Sequence, residues 1–163
     1  MKQPTSRELI WKHVRDIGTC MMVTSKPDGG VRARPMRGIP DEPANAIWFF
    51  TDLDSDKDED VQRDSRACLT FADPHDQTYV SVSGRIALIH DRDQIAKHWN
   101  EGAEIYYPNG KDDNRVILLK FSAESGEYWD APSSPIVIAI KFLQAKVSGE
   151  RPELGTQGAA RLS

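Results

Sequence analysis

Apolar positions along the chain follow a helical period at first and then a period of two. Thr5 and Glu8 form the two ends of a capping box, and Leu9, Ile10, His13, Val14 and Ile17 then recur on one face until Gly18. This predicts a short amphipathic helix. Segment 19–25 (TCMMVTS) is rich in strand formers, 27–30 (PDGG) is a turn signal, and 31–39 (VRARPMRGI) alternates, which together predict a hairpin. Pro35 cannot donate to a ladder, so it belongs on an edge, at a bulge, or where pairing opens.

Strands are also expected over 46–52 (AIWFFTD), 67–72 (ACLTFA), 78–89 (TYVSVSGRIALI) and 115–122 (RVILLKFS). The acidic stretch 53–66 between the first two is expected to be a loop leading into a short surface helix. In 78–89, Val80, Val82, Ile86 and Leu88 fall on one face and Tyr79, Ser81, Ser83 and Arg85 on the other. A polar face of that length needs water or a ligand. Asp91 caps a predicted helix through His98 and Trp99, followed by an expected loop from Asn100 to Asn114. Gly126 marks an expected break before a short extended piece, EYWD, which carries Trp129. IVIAI after Ser134 resembles a strand, but Pro135 at a first-turn position and Ile136, Ile140, Leu143 and Val147 at helical spacing favour a helix ending near Gly149. Residues 1–152 then read as one domain and 153–163 as a polar, loosely held tail. Several strands, short turns and no regular strand–helix alternation predict an α+β, mainly antiparallel β barrel.

Composition narrows the class. A chain of 163 residues suits one domain, since about 150 residues bury roughly 70% of the unfolded surface. No apolar run approaches the roughly 20 residues of a bilayer span, and charged residues interrupt the opening segment, so the expected location is cytoplasmic with no membrane partner. Cys20 and Cys68 lack the spacing of a redox or zinc motif and read as small hydrophobes. A net charge of −4 offers no basic footprint for nucleic acid. An anionic ligand therefore needs local cations.

Most catalytic signatures are missing. Asp54, Asp56, Asp58 and Asp60 begin like a calcium loop, but Glu59 holds the glycine position and Ser65 the final carboxylate position. His13, His75, His90 and His98 show no ligand spacing, and His98 beside Trp99 reads as a packing or helix-dipole residue. There is no GxSxG, P-loop or GxGxxG. Two sets of cations remain. Arg32 and Arg34 share a strand face with Met36, either as an anion clamp or as a solvated face, while Arg37 points the other way. Ser55 and Lys57 follow a strand end, either as a phosphate site or as part of a solvated charge run. Trp129 lies outside any regular apolar period, placed to cover a flat ligand or a partner subunit.

The order of ARPM (33–36), WFFTD (48–52), Ser55 with Lys57, YVSVSGRI (79–86), YYPNGKDD (106–113) and EYWDAP (127–132) resembles the pyridoxamine 5′-phosphate oxidase-related flavoproteins, in particular their short general-stress-protein branch. The resemblance implies a split β-barrel that forms a homodimer with FMN in two clefts at the subunit interface; FAD or a deazaflavin is a variant of the same expectation. It implies that Arg34, Pro35 and Met36 line the flavin ring, that Phe50 and Thr51 contribute from the next strand, and that Ser55 and Lys57 hold the phosphate. Tyr79, Ser81 and Ser83 would fall on the strand face that meets the flavin, with Trp129 reaching it from the partner chain. A small barrel fills its interior with side chains, so the ring must lie outside.

The chain also departs from that family. Where the vitamin-forming oxidases carry an Arg and a His that grip the substrate phosphate, Pro135 and Val137 stand here. Pyridoxamine phosphate oxidation is therefore not expected. The resemblance implies a flavin-dependent oxidoreductase of unspecified small-molecule substrate; the alternatives are a non-catalytic flavin-binding or flavin-buffering stress protein and, further off, a barrel for single-stranded nucleic acid.

Overall fold

The computed structural model describes residues 2–53, 61–132 and 135–163. Helix α1 (Ser6–Ile17) begins at the predicted capping box: the Thr5 hydroxyl accepts from the Glu8 amide, and the Glu8 carboxylate accepts from the Thr5 amide at 2.7 Å. Gly18 ends it with φ +73°.

The hairpin follows as β1 (Thr19–Ser25) and β2 (Val31–Arg37), with Ser25 opposite Val31. Next come β3 (Ile39–Asp41), β4 (Ala46–Asp52), β5 (Arg66–Asp73), β6 (Thr78–Ile89), β7 (Val116–Asp130) and β8 (Thr156–Arg161). All pair antiparallel, in the order β2-β1-β5-β6-β7-β4-β3. One edge of β7 lies along β6; its other edge takes β4 over its first half and β8 over its second. Strands β2 and β3 stand at opposite ends of this order, yet only Gly38 separates them in the chain. The sheet must therefore curl until its two borders meet. Gly38 donates its amide to the Gly18 carbonyl at 3.1 Å at that seam. Pro35 lies on the border strand β2, and the pairing to β1 passes through it without a shift. Its missing donor thus faces the free side.

The barrel is filled. Ile10, Trp11 and Val14 of α1 close one opening against Met22, Phe49, Leu69, Phe71, Val82 and Phe121. A second apolar layer lies outside, where Trp48, Val116 and Leu118 meet Ile95 of α2 (Arg92–His98) and, at its margin, Phe50, Trp99 and Tyr107. Each buried Phe or Leu contributes about 1.5–3 kcal/mol relative to exposure.

Three expectations are corrected. Residues 101–106 are helical (α3, Glu101–Tyr106) where a loop was expected, because the Asn100 side chain caps the Ala103 amide at 3.0 Å and Ala103 is buried. Gly126 does not break β7, a continuous strand of 15 residues. A Cβ there would meet Ile10 and Leu162 at 3.2 Å, so the glycine admits α1 and the C-terminus rather than ending the strand. The C-terminal residues are not loose: β8 pairs with β7, Leu162 is buried, and Arg7 donates to the Leu162 carbonyl at 2.6 Å.

Helix α4 (Pro135–Ser148) forms as predicted, while the caps Ser133 and Ser134 lie outside the described residues. None of its residues is buried, and Ile136, Ile140, Phe142, Leu143 and Val147 are exposed.

Candidate functional site

Strand alternation and register place the predicted site residues on three surfaces. The first is the outer face of the sheet. Pro35, Met21, Thr70, Ser81, Glu127 and Ala159 form one row across six strands, each opposite the next. A parallel row runs Ala33, Val23, Cys68, Ser83, Ser125, Arg161, and a third runs Ala72, Tyr79, Trp129, Gln157. Tyr79, Ser81 and Ser83 share this face, as the alternation of 78–89 predicts, and Trp129 of the same chain stands opposite Tyr79, where the resemblance implied an indole arriving from the partner chain. Trp129 is not on a linker; it is a regular outward position of β7, and its side chain is 41% exposed.

A β-bulge sets the spacing of this face. Between Ser83 and Gly84 the register with β7 shifts, so that Ser83 faces Ser125 and Gly84 faces Ala123. Glu124 is the extra residue. Any side chain at Gly84 would collide with the Ser122 carbonyl, so only glycine fits there. Beyond the bulge the three serines, Glu127 and Arg161 line an open groove of about 440 Å³. Arg161 and Ser125 were not anticipated from sequence. TQGAAR carries no apolar alternation, and only its pairing to β7 identifies it as a strand.

The second surface is the inner face near the barrel mouth. Arg32, Arg34 and Met36 alternate inward, across from Thr24, Met22 and Cys20 on β1, and Met36 packs against the core. The two arginines share a face as predicted, but it is the inner one, half-buried rather than freely solvated. The Arg34 guanidinium donates to the Thr24 hydroxyl at 3.3 Å, and Arg37 points outward and is exposed. Thr51 is buried and alternates with Phe49 toward the same interior.

Phe50 occupies the third surface, edge-on to Trp99 with ring centroids 5.4 Å apart. His98 lies against Trp48 at 4.3 Å and its Nδ1 is 2.9 Å from the Gln94 carbonyl, a packing role as expected. Ser55 and Lys57, and the calcium-like aspartates 54–60, lie outside the described residues. The chain returns beside the hairpin, where the Ser25 hydroxyl donates to Asp64 at 3.3 Å and Arg63 donates to the Ser25 carbonyl at 2.9 Å.

The two cysteines are unpaired. Burial pushes the Cys20 thiol up to about 12, which leaves it a packing group rather than a nucleophile. Cys68 Sγ is 3.3 Å from the Ser81 hydroxyl. Tyr107 is likewise pushed up to about 12 by burial, with Asp52 adding to the effect. Among the described residues no group of three acidic, His or Cys side chains could hold a metal. The outer face can offer hydroxyls, one guanidinium and a flat aromatic surface; it can bind and orient a ligand that brings its own chemistry.

Known proteins share this architecture. A structure assigned as general stress protein 26 from Jannaschia sp. CCS1 superposes with a TM-score of 0.72 at 25% identity, covering 93% of this chain and 95% of that one. A protein from Clostridium acetobutylicum related to general stress protein 26 of B. subtilis, of the pyridoxinephosphate oxidase family, gives 0.67 at 28%, covering 73% and 84%. The general stress FMN/FAD binding protein of Xanthomonas citri gives 0.67 at 27%, covering 77% and 88%. Among curated sequences, protein bli-3 of Neurospora crassa is 22% identical over 142 residues, which cover 82% of this chain and 61% of the relative, so the match spans about three-fifths of that protein. The family model described as pyridoxamine 5′-phosphate oxidase like matches residues 5–153. With that match and the split-barrel sheet, the chain belongs to the pyridoxamine 5′-phosphate oxidase like family.

Proposed function

We propose that the protein is a homodimeric FMN-binding flavoprotein that transfers electrons to or from a small molecule, with the flavin lying against the outside of the barrel. The observation that carries this reading is the outer face itself: Tyr79, Ser81, Ser83 and Trp129 stand side by side on paired strands of a barrel whose interior is filled. The donor set fits the group. An exposed indole offers a ring face, and the hydroxyls and the Arg161 guanidinium offer hydrogen bonds to polar edges. Arg32 and Arg34 face inward at the barrel mouth, on the hairpin to which the chain returns after Lys57, so a phosphate reaching past the sheet border to that mouth would find cations there.

Self-association is supported by the apolar surface that one chain leaves open. Trp129 and Met21 are exposed on the outer face, and α4 exposes six large apolar side chains. Patches of that kind mark interaction sites. When bound, a flavin supplies the redox chemistry, and the chain's own residues bind and orient it. Pro135 and Val137 stand in the sequence where the vitamin-forming oxidases carry the Arg and His of their phosphate grip, which argues against pyridoxamine phosphate as the substrate.

The protein should retain or rebind FMN with an absorbance band near ~450 nm. Failure to bind FMN at micromolar excess overturns the reading. Bound FMN that no nicotinamide donor reduces and no acceptor reoxidises would assign the protein to flavin storage rather than turnover.

A further inference from the structure

A second cleft lies at the end of the barrel away from the groove, between α1 and the last residue of β7. It measures about 390 Å³ and is lined by Lys12, His13, Asp16, Asp73, Asp76 and Asp130, among others. Four carboxylates face one ammonium, and Lys12 is already paired to Asp16. Each carboxylate commits one oxygen within the protein: Asp16 to Lys12, Asp73 to the amides of His75 and Asp76, Asp76 to the His75 ring, and Asp130 to the Thr78 hydroxyl at 3.4 Å. The second oxygens remain available.

His13 distinguishes this cleft from an ordinary acidic surface. Its side chain is only 9% exposed, its Nε2 has no hydrogen-bond partner, and the nearest carboxylate oxygen, Asp130 Oδ2, is 3.8 Å away. That distance is too long for a hydrogen bond. It is well matched to two acceptors sharing one donor, since a single nitrogen can stand about 2.9 Å from both. A buried, unsatisfied ring nitrogen is costly to the fold, and a ligand donor would relieve that cost. A bare dication is a poor occupant, because no three ligating side chains converge among the described residues.

We propose that this cleft binds a small organic cation through a primary ammonium or guanidinium group, which donates to Asp130 Oδ2 and, by displacing the side chains that cover it, to His13 Nε2. The remaining carboxylates at Asp16, Asp73 and Asp76 supply the negative field, and the cleft's volume suits a short aliphatic amine rather than a single ion. Burial holds His13 below the usual imidazole range, which favours the neutral ring at neutral pH, and its Nδ1–H tautomer presents Nε2 as an acceptor. The site stands on the opposite face of β7 from Trp129 and does not depend on flavin binding.

Titration of the full-length protein with putrescine, with methylguanidinium as a second probe, tests this by the His13 imidazole resonances in NMR. A saturable shift with half-effect near or below about 1 mM is expected, and so is a lowered His13 pKa in the amine complex, since cation and imidazolium compete. Asp130→Asn should weaken binding about tenfold or more; if it unfolds the chain, the rim variants Asp76→Asn and Asp16→Asn should each weaken it about two- to threefold. The proposal is overturned if no saturable shift appears by about 50 mM amine, if magnesium chloride at equal ionic strength produces the same shift, or if folded Asp130→Asn binds unchanged.

Discussion

Tyr79 and Trp129 lie directly opposite each other on β6 and β7, both directed to the outside of the barrel. Cross-strand partners of this kind present their side chains on the same face of the sheet. On the proposed reading, this pair is the surface against which the flavin ring rests.

Trp129→Ala should therefore weaken FMN binding about tenfold or more, in line with the ~0.5–1.5 kcal/mol of an aromatic pairing plus the lost contact area. The indole is exposed, so the thermal midpoint should change little. Flavin fluorescence titration with a parallel melting curve measures both. Unchanged affinity would make Trp129 a residue of the protein surface alone.

Lys57→Ala should weaken FMN more than riboflavin, by about 1.5–3 kcal/mol, because only FMN has a phosphate to lose. Competition between the two ligands for the variant reads the difference directly. Equal losses would remove Lys57 from the phosphate site.

The protein should sediment as a dimer at micromolar concentration, and charged substitutions on α4 should shift it toward monomer. Phe142→Asp and Leu143→Asp alter exposed positions and should not unfold the chain. A wild-type monomer at all concentrations contradicts a shared interface.

Leu162→Ala should cost about 2–5 kcal/mol, as expected for a fully buried leucine. Urea denaturation of this variant also tests whether residues after 152 belong to the folded domain. A change below about 0.5 kcal/mol would make β8 peripheral.

Acidification should destabilise the protein in a defined window. Burial lowers the His13 pKa, so the folded state favours the neutral ring. The associated stability is fully present above the unfolded value of about 6.5 and is lost as pH falls from there toward the folded value, by no more than about 1.4 kcal/mol per unit for one proton. Asp64 and Asp113, held far below the usual carboxylate range by hydrogen bonds from Arg66 and Arg115, act only in stronger acid. His13→Asn should flatten the profile in the range just below about pH 6.5. An unaltered slope would assign the effect to other groups.

Much of the fold is legible because local signals agree with tertiary ones. The Thr5–Glu8 box, the 27–30 turn and the alternation of 78–89 each name their element and its buried face. The errors share a cause. Residues 101–106 and 156–161 carry few apolar positions, and their structure is set by a single cap or by pairing with a distant strand. Gly126 misleads for a related reason: from sequence a glycine in an extended run resembles a break, and only the approach of Ile10 shows what it is for. Of the site, same-face relations could be read from spacing, as for Arg32 with Arg34. Whether that face lies inside or outside could not, since it depends on which partner β1 presents.

Pro35 has a consequence for solubility. Because the barrel is split, β2 remains a border strand, and a regular border would accept a strand from another molecule without limit. A proline whose missing donor faces that border interrupts the ladder a newcomer would need. The same position that the flavin reading assigns to the cofactor thus also interrupts the border along which another strand could add. Exchanging Pro35 for a β-branched residue would expose a clean template even if the cofactor were still bound.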